Sequence, residues 1–116
     1  MTALLLADAD LRFGIVYGLQ RRDPAIDFLP AQGIIPDSME DPDVLALAAG
    51  LGRVLVSHDR KTMPGHFYRF LEKGDSPGLI LVPQVLAIGS AIEELHVVWA
   101  CGEAEEFRNR VIYLPL

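Results

Sequence analysis

Gly52-Arg53-Val54-Leu55-Val56-Ser57-His58-Asp59 is the stretch on which the fold turns. Val54-Leu55-Val56 is an unbroken β-branched and aliphatic run of strand length. A run with no polar alternation predicts a strand buried on both faces, as in a parallel sheet covered by helices. It stops abruptly at Ser57-His58-Asp59. Leu4-Leu5-Leu6-Ala7 has the same form and stops at Asp8. Leu79-Ile80-Leu81-Val82 is a third such run, and Val111 to Leu114 a last one. Ile26 and Phe28 form a weaker strand that ends at Pro30.

Helical spacing fills the gaps. Leu11, Ile15, Gly18 and Leu19 predict a first helix with Asp10 as its N-cap; Arg21 and Arg22 suit its negative pole, and Pro24 stops it. Gln32 to Ser38 is loop. Asp41-Pro42-Asp43 opens a second helix, with Asp41 as N-cap, Pro42 in the first turn and Gly50 or Gly52 at the end. Pro64 starts a third helix that Gly74 ends, with Phe67 and Phe70 facing the core and Tyr68 freer. A fourth helix starts near Ser90, where Ser90-Ala91-Ile92-Glu93 matches a capping box, and breaks at Gly102. Its Trp99 reads as core or a subunit contact, and His96 as structural. A short helix follows from Glu103 to Arg108. Gly14 and Gly18, four apart, predict close helix packing.

The order βαβαβαβαβ predicts one α/β domain over residues 1–116: a three-layer, Rossmann-like sandwich with a mainly parallel sheet of about five strands. The 116 residues suffice for one core without disulfides. A single cysteine, Cys101, excludes an internal disulfide, suits a reducing compartment and reads as a small buried hydrophobe. No apolar run approaches the ~18 residues of a membrane span, and the N-terminus lacks a signal peptide's basic flank. The expectation is a soluble cytoplasmic protein.

The net charge of −6 argues against a protein that coats nucleic acid. Residues 53–73 are the exception, with five bases against two acids, net +3. That stretch is where phosphate would be attracted; the plainer alternative is a solvated helix face.

In open parallel sheets, ligands bind beyond the carboxyl ends of the strands. Asp8 follows the first strand and Asp59 the third, while Asp41 opens the helix feeding the third. Right-handed crossovers would bring all three to one edge. Such oxygen ligands suit Mg²⁺ or Mn²⁺, which could polarise a phosphodiester and acidify an attacking water. Asp10 and Asp43 are further candidates, though each reads first as a helix-start residue. Arg60 and Lys61 are placed to meet phosphate. His58 reads as a proton donor or a packing histidine, and His66 as an RNA contact or a solvated helix-start residue. The histidine spacings make no zinc motif.

The segments Leu5 to Leu11, Asp41 to Ala48 and Gly52 to Asp59, continuing through Arg60-Lys61-Thr62-Met63-Pro64-Gly65-His66-Phe67, resemble the PIN-like family of small bacterial proteins. These are shortened relatives of PIN-domain ribonucleases, many of them toxins of toxin–antitoxin pairs. The resemblance covers nearly the whole chain and lies in order and spacing. It implies a metal-dependent endoribonuclease with Asp8, Asp41 and Asp59 as Mg²⁺ or Mn²⁺ ligands. Arg60, Lys61, His58 and His66 would then face RNA. A small antitoxin would be the partner, and a homodimer stays open. The pattern departs at three positions: Ala9 and Asp10 follow Asp8 where the family has Glu and Asn, and Lys61 stands where many members have a second Asp. These departures favour an alternative, a PIN-like interaction module without catalysis. A receiver-like signalling domain is a second alternative. It lacks the Lys expected after the last strand and the Ser or Thr expected after the fourth.

Overall fold

A computed structural model describes residues 1–116. Five strands form one sheet: β1 (Leu4–Ala7), β2 (Phe28–Leu29), β3 (Arg53–Ser57), β4 (Leu79–Leu81) and β5 (Val111–Tyr113). The helices are α1 (Phe13–Arg22), α2 (Asp41–Leu51), α3 (Met63–Leu71), α4 (Ile88–Cys101) and α5 (Ala104–Phe107). The strand order is β2-β1-β3-β4-β5, and every pair is parallel. The expected α/β sandwich with a five-stranded sheet is therefore present, and the sheet is wholly parallel.

Strand alternation divides the interior into two cores. Leu5, Val54, Val56 and Ile80 point to the side covered by α1, α4 and α5. Leu6, Leu55, Leu79 and Leu81 point to the side covered by α2 and α3. Both faces are buried, which is why these strands carry no polar alternation. Burying each such side chain contributes about 1.5–3 kcal/mol. Phe67 and Met63 anchor α3 in the second core, whereas Phe70 is only partly buried. Trp99 lies in the first, where its indole N–H donates to the Ala3 carbonyl at 2.9 Å.

The two glycines of α1 meet α4. A Cβ on Gly14 would lie 3.3 Å from Ile88, and one on Gly18 2.3 Å from Ile92. This contact draws Ile88 and Gly89 into the helix, so α4 begins two residues before Ser90. Glu93 bonds to Arg22 instead of closing a capping box with Ser90. The reciprocal box forms at α5, between Glu103 and Glu106.

Other helix starts also differ from expectation. Glu40, not Asp41, precedes α2; Asp41 is its first residue and makes no capping bond. Asp10 does not cap α1, which begins only after Arg12. Cys101 is exposed, because it lies off the stripe formed by Leu95, Val98 and Trp99.

After β1 the chain moves outward to β2, then crosses back to β3 on the other flank. The neighbours β1 and β3 thus mark the point where the winding reverses, and a crevice opens there at the carboxyl edge. Asp8 and Ser57-His58-Asp59 flank it.

Candidate functional site

The crevice is an open cleft of about 620 Å³. Five carboxylates line it: Asp8, Asp10, Asp37, Asp41 and Asp59. They come from the end of β1, the loop before α2, the start of α2 and the turn after β3. Arg60 and Lys61 line it too, with Gln84 from the loop after β4.

Asp8 is the deepest acid, 7% exposed. Its amide donates to the Val56 carbonyl at 2.9 Å, extending the β1–β3 ladder by one residue. Its Oδ2 accepts the Ser57 hydroxyl at 2.8 Å, and its Oδ1 accepts the Ala9 amide at 2.9 Å. Burial pushes its pKa up to about 6, against the pull of the Ser57 hydrogen bond, and the charges of Asp10 and Asp41 add to the rise.

Asp10 follows on the exposed rim. Its Oδ1 accepts the His58 amide at 3.2 Å and lies 3.3 Å from the Ser57 hydroxyl. That use of the carboxylate explains why it caps no helix. Ser57 has no exposed surface and also accepts the Asp59 amide at 3.0 Å. It therefore ties the ends of β1 and β3 together. Asp41 is half-buried, with Oδ2 3.9 Å from Nε2 of His66.

Asp59 lines the cleft, but its oxygens serve the turn into α3. Oδ1 accepts the amides of Lys61 at 3.0 Å and Thr62 at 2.9 Å, and Oδ2 bonds the Thr62 hydroxyl. Partial burial opposes ionisation there, but these bonds, with one from the Met63 amide, outweigh it and hold the pKa below the usual carboxylate range. Its main partners are thus local N–H and O–H groups.

His58 is buried with both ring nitrogens engaged. Nδ1 lies 2.8 Å from the Val82 carbonyl, which can only accept, so Nδ1 carries the proton. Nε2 then accepts the Arg12 amide at 3.2 Å. In this arrangement neither nitrogen is free for phosphate, and the packing reading fits the geometry. Arg12 also donates to the Leu86 carbonyl at 2.6 Å, fastening the loop after β4 to the start of α1.

His66 and Asp43 fall outside the cleft. They line a separate groove between α2 and α3, with Arg69 and Lys73. His66 Nδ1 lies 3.1 Å from an Arg69 guanidinium nitrogen. Lys61 lines the cleft but forms no ion pair with its carboxylates. The Arg60 guanidinium lies over the Tyr113 ring, 5.7 Å from its centroid.

No three His, Cys, Asp or Glu side chains form a ready metal-ligand group. The donors around Asp8 are nevertheless all oxygens, which suits Mg²⁺ or Mn²⁺, and such ions keep several waters and need only one or two carboxylates. A cation there would offset the repulsion that Asp8 feels from Asp10 and Asp41.

Ser57, Asp37 and Gln84 are site residues that sequence reasoning missed. Strand alternation puts Ser57 on the same sheet face as Asp8, but only the register shows that they are level.

The fold and site define a Rossmann-like α/β protein with a carboxylate-lined cleft at its switch point. No protein-family model, curated protein or solved structure matches the chain. No helix is long and apolar enough to cross a membrane.

Proposed function

We propose that this protein is a divalent-metal-dependent endoribonuclease of the PIN-like kind, restrained by a small antitoxin. One observation carries the reading: Asp8, Asp10 and Asp41 share a cleft at the sheet's switch point, with Arg60 and Lys61 on its rim. Carboxylates would bind an ion, and the bases would meet the substrate's negative charge. Bound Mg²⁺ or Mn²⁺ would supply a Lewis acid toward a phosphoryl oxygen and would acidify a water. Asp8, Asp10 and Asp41 would hold the ion, and Ser57 fixes the orientation of Asp8. Asp59 shapes the turn that presents Lys61. Lys61 and Arg60 offset phosphate charge as the strand enters.

Two other readings have particular support. The use of Asp59 by its own turn, with Lys61 beside it, favours an interaction module without catalysis. The strand order suits a receiver domain as well. Against the latter, Leu114-Pro115-Leu116 after β5 contains no Lys, and Val82-Pro83-Gln84 after β4 contains no Ser or Thr.

Thermal melting during Mn²⁺ titration separates these readings, since an ion that binds only the folded chain must raise its stability. The nuclease reading expects a rise that Asp8→Asn and Asp41→Asn abolish, together with Mn²⁺-dependent cleavage of single-stranded RNA. No rise at millimolar Mn²⁺ and no cleavage leave the interaction module. A base-labile phosphoryl adduct at Asp59 after incubation with a small phosphodonor selects the receiver.

A further inference from the structure

Asp8, Ser57, Leu81 and Tyr113 form one rung across the carboxyl edge of the sheet. Ala7 pairs with Val56, so Asp8 is level with Ser57; Ser57 pairs with Leu81, and Leu81 with Tyr113. Leu6, Leu55, Leu79 and Val111, two residues earlier on each strand, all pack in the α2/α3 core. The rung therefore projects to that same face. Asp8, Ser57 and Leu81 are buried, whereas Tyr113, on the outermost strand, is 44% exposed.

Arg60 connects the two ends of this rung. It leaves the turn that lines the carboxylate cleft and lays its guanidinium on the Tyr113 ring. No carboxylate pairs with it. It also belongs to the one net-positive stretch of an acidic chain. Adjacent strands lie ~4.8 Å apart, so Tyr113 stands three spacings, ~14 Å, from Asp8. At a rise of ~3.4 Å for a stacked nucleotide, and more for an extended one, that is roughly two to four nucleotides.

We infer that Arg60 and Tyr113 form a nucleotide subsite for a single-stranded RNA whose scissile phosphate lies at the Asp8 end of the cleft. Tyr113 stacks a base, and Arg60 holds the neighbouring phosphate. An aromatic face beside an unpaired cation is the usual platform for a single strand, and it tolerates any base. This inference rests on the nuclease reading and adds the direction in which the strand runs, from β1 toward β5. Neither residue contacts the carboxylates, so both bind the strand away from the acidic end of the cleft.

The test is fluorescence anisotropy with end-labelled single-stranded RNA, a dinucleotide and a hexanucleotide, in Ca²⁺. The hexamer reaches the subsite and the dinucleotide does not. Tyr113→Ala and Arg60→Ala should each weaken hexamer binding about tenfold, the scale of one lost base–aromatic stack. Tyr113→Ala should leave dinucleotide binding unchanged, and Arg60→Ala, whose side chain also lines the cleft, should weaken the dinucleotide less than the hexamer. Tyr113→Phe should bind as the parent does. Hexamer binding unaltered in both Ala variants overturns the subsite while leaving the nuclease reading intact. An equal loss for both oligonucleotides also overturns it, because the residues then act on the cleft itself. Absence of RNA binding by the parent, with no Mn²⁺ shift, removes the nuclease reading and the subsite together. Should Tyr113→Ala melt early, Arg60→Ala decides alone.

Discussion

The Ser57 hydroxyl lies 2.8 Å from Oδ2 of Asp8 and 3.3 Å from Oδ1 of Asp10, so one buried proton serves two carboxylates. The acids are on the chain segment leaving β1, and the hydroxyl is the last side chain of β3. One hydrogen bond therefore fixes both the join of the two central strands and the aim of the deepest acid. Cluster geometry and fold stability are coupled at this point, and the coupling is measurable.

Asp8 should make the fold less stable as the pH rises from about 4 to about 6. Its pKa is raised to about 6 in the folded chain and is ~3.9 when unfolded. Between those values the folded chain binds more protons than the unfolded one, so unfolding becomes easier with rising pH. Above about 6 the penalty is fully present and constant. In Asp8→Asn the one remaining oxygen can still accept the Ala9 amide, while the new NH2 can donate to the Ser57 oxygen, and the charge is removed. Urea melts at pH 7 should show it more stable than the parent by about 1–3 kcal/mol, and the slope between pH 4 and 6 should flatten.

Ser57→Ala should do the opposite. It deprives buried Asp8 of a donor and the Asp59 amide of an acceptor. Leaving buried partners unsatisfied costs about 1–3 kcal/mol. The hydroxyl also holds the Asp8 pKa down, so its loss should move the upper end of the pH-sensitive window above about 6. Melting curves recorded across pH 5 to 8 test both effects. Unchanged stability would mean that water replaces the hydroxyl.

Much of this arrangement was legible in the sequence, for a definite reason. Val54-Leu55-Val56 and Leu4-Leu5-Leu6 read as central strands because both of their faces are covered, and the crossover rule then put Asp8 beside the end of β3. What remained hidden depended on competition among nearby groups. Asp59 lines the cleft and also satisfies three donors that follow it, a competing use of its oxygens that spacing alone does not show. The capping pattern at Ser90 yielded to an ion pair from Glu93 to Arg22, a residue 71 positions away. Ser57 carries no signal of its own, since its importance lies in register. Cys101 was legible and misread: its place off the Leu95-Val98-Trp99 stripe already put it at the surface.

Gly78 should tolerate no side chain. It sits just before β4 with φ +128°, and a Cβ would lie 2.3 Å from the Phe107 carbonyl oxygen. Its own carbonyl accepts the Leu55 amide at 3.1 Å, so the backbone cannot retreat without loosening β3. Strain and clash together predict that Gly78→Ala costs about 3 kcal/mol or more. Gly52 is the control, with φ +67° and nothing within 4 Å of a Cβ. Gly52→Ala should cost only about 1 kcal/mol. Equal melting temperatures for the two variants would contradict the assigned role of Phe107.

Asp59→Ala distinguishes a ligand from a turn-former. Asp59 bonds the amides of Lys61 and Thr62 as an N-cap would, and loss of such a group costs about 0.5–2 kcal/mol. Its folded pKa lies below the usual range, so its stabilisation is present above ~3.9 and is lost as pH falls through that lower value. This window lies below the one set by Asp8, and the two can be read separately from a single pH series. If Asp59 serves chiefly the turn, Asp59→Ala lowers the melting temperature but retains most of the Mn²⁺-induced rise. Asp8→Asn shows the reverse pattern, a higher melting temperature at neutral pH and no rise. A complete loss of the rise in Asp59→Ala, with the far-ultraviolet spectrum intact, would instead place Asp59 among the ligands.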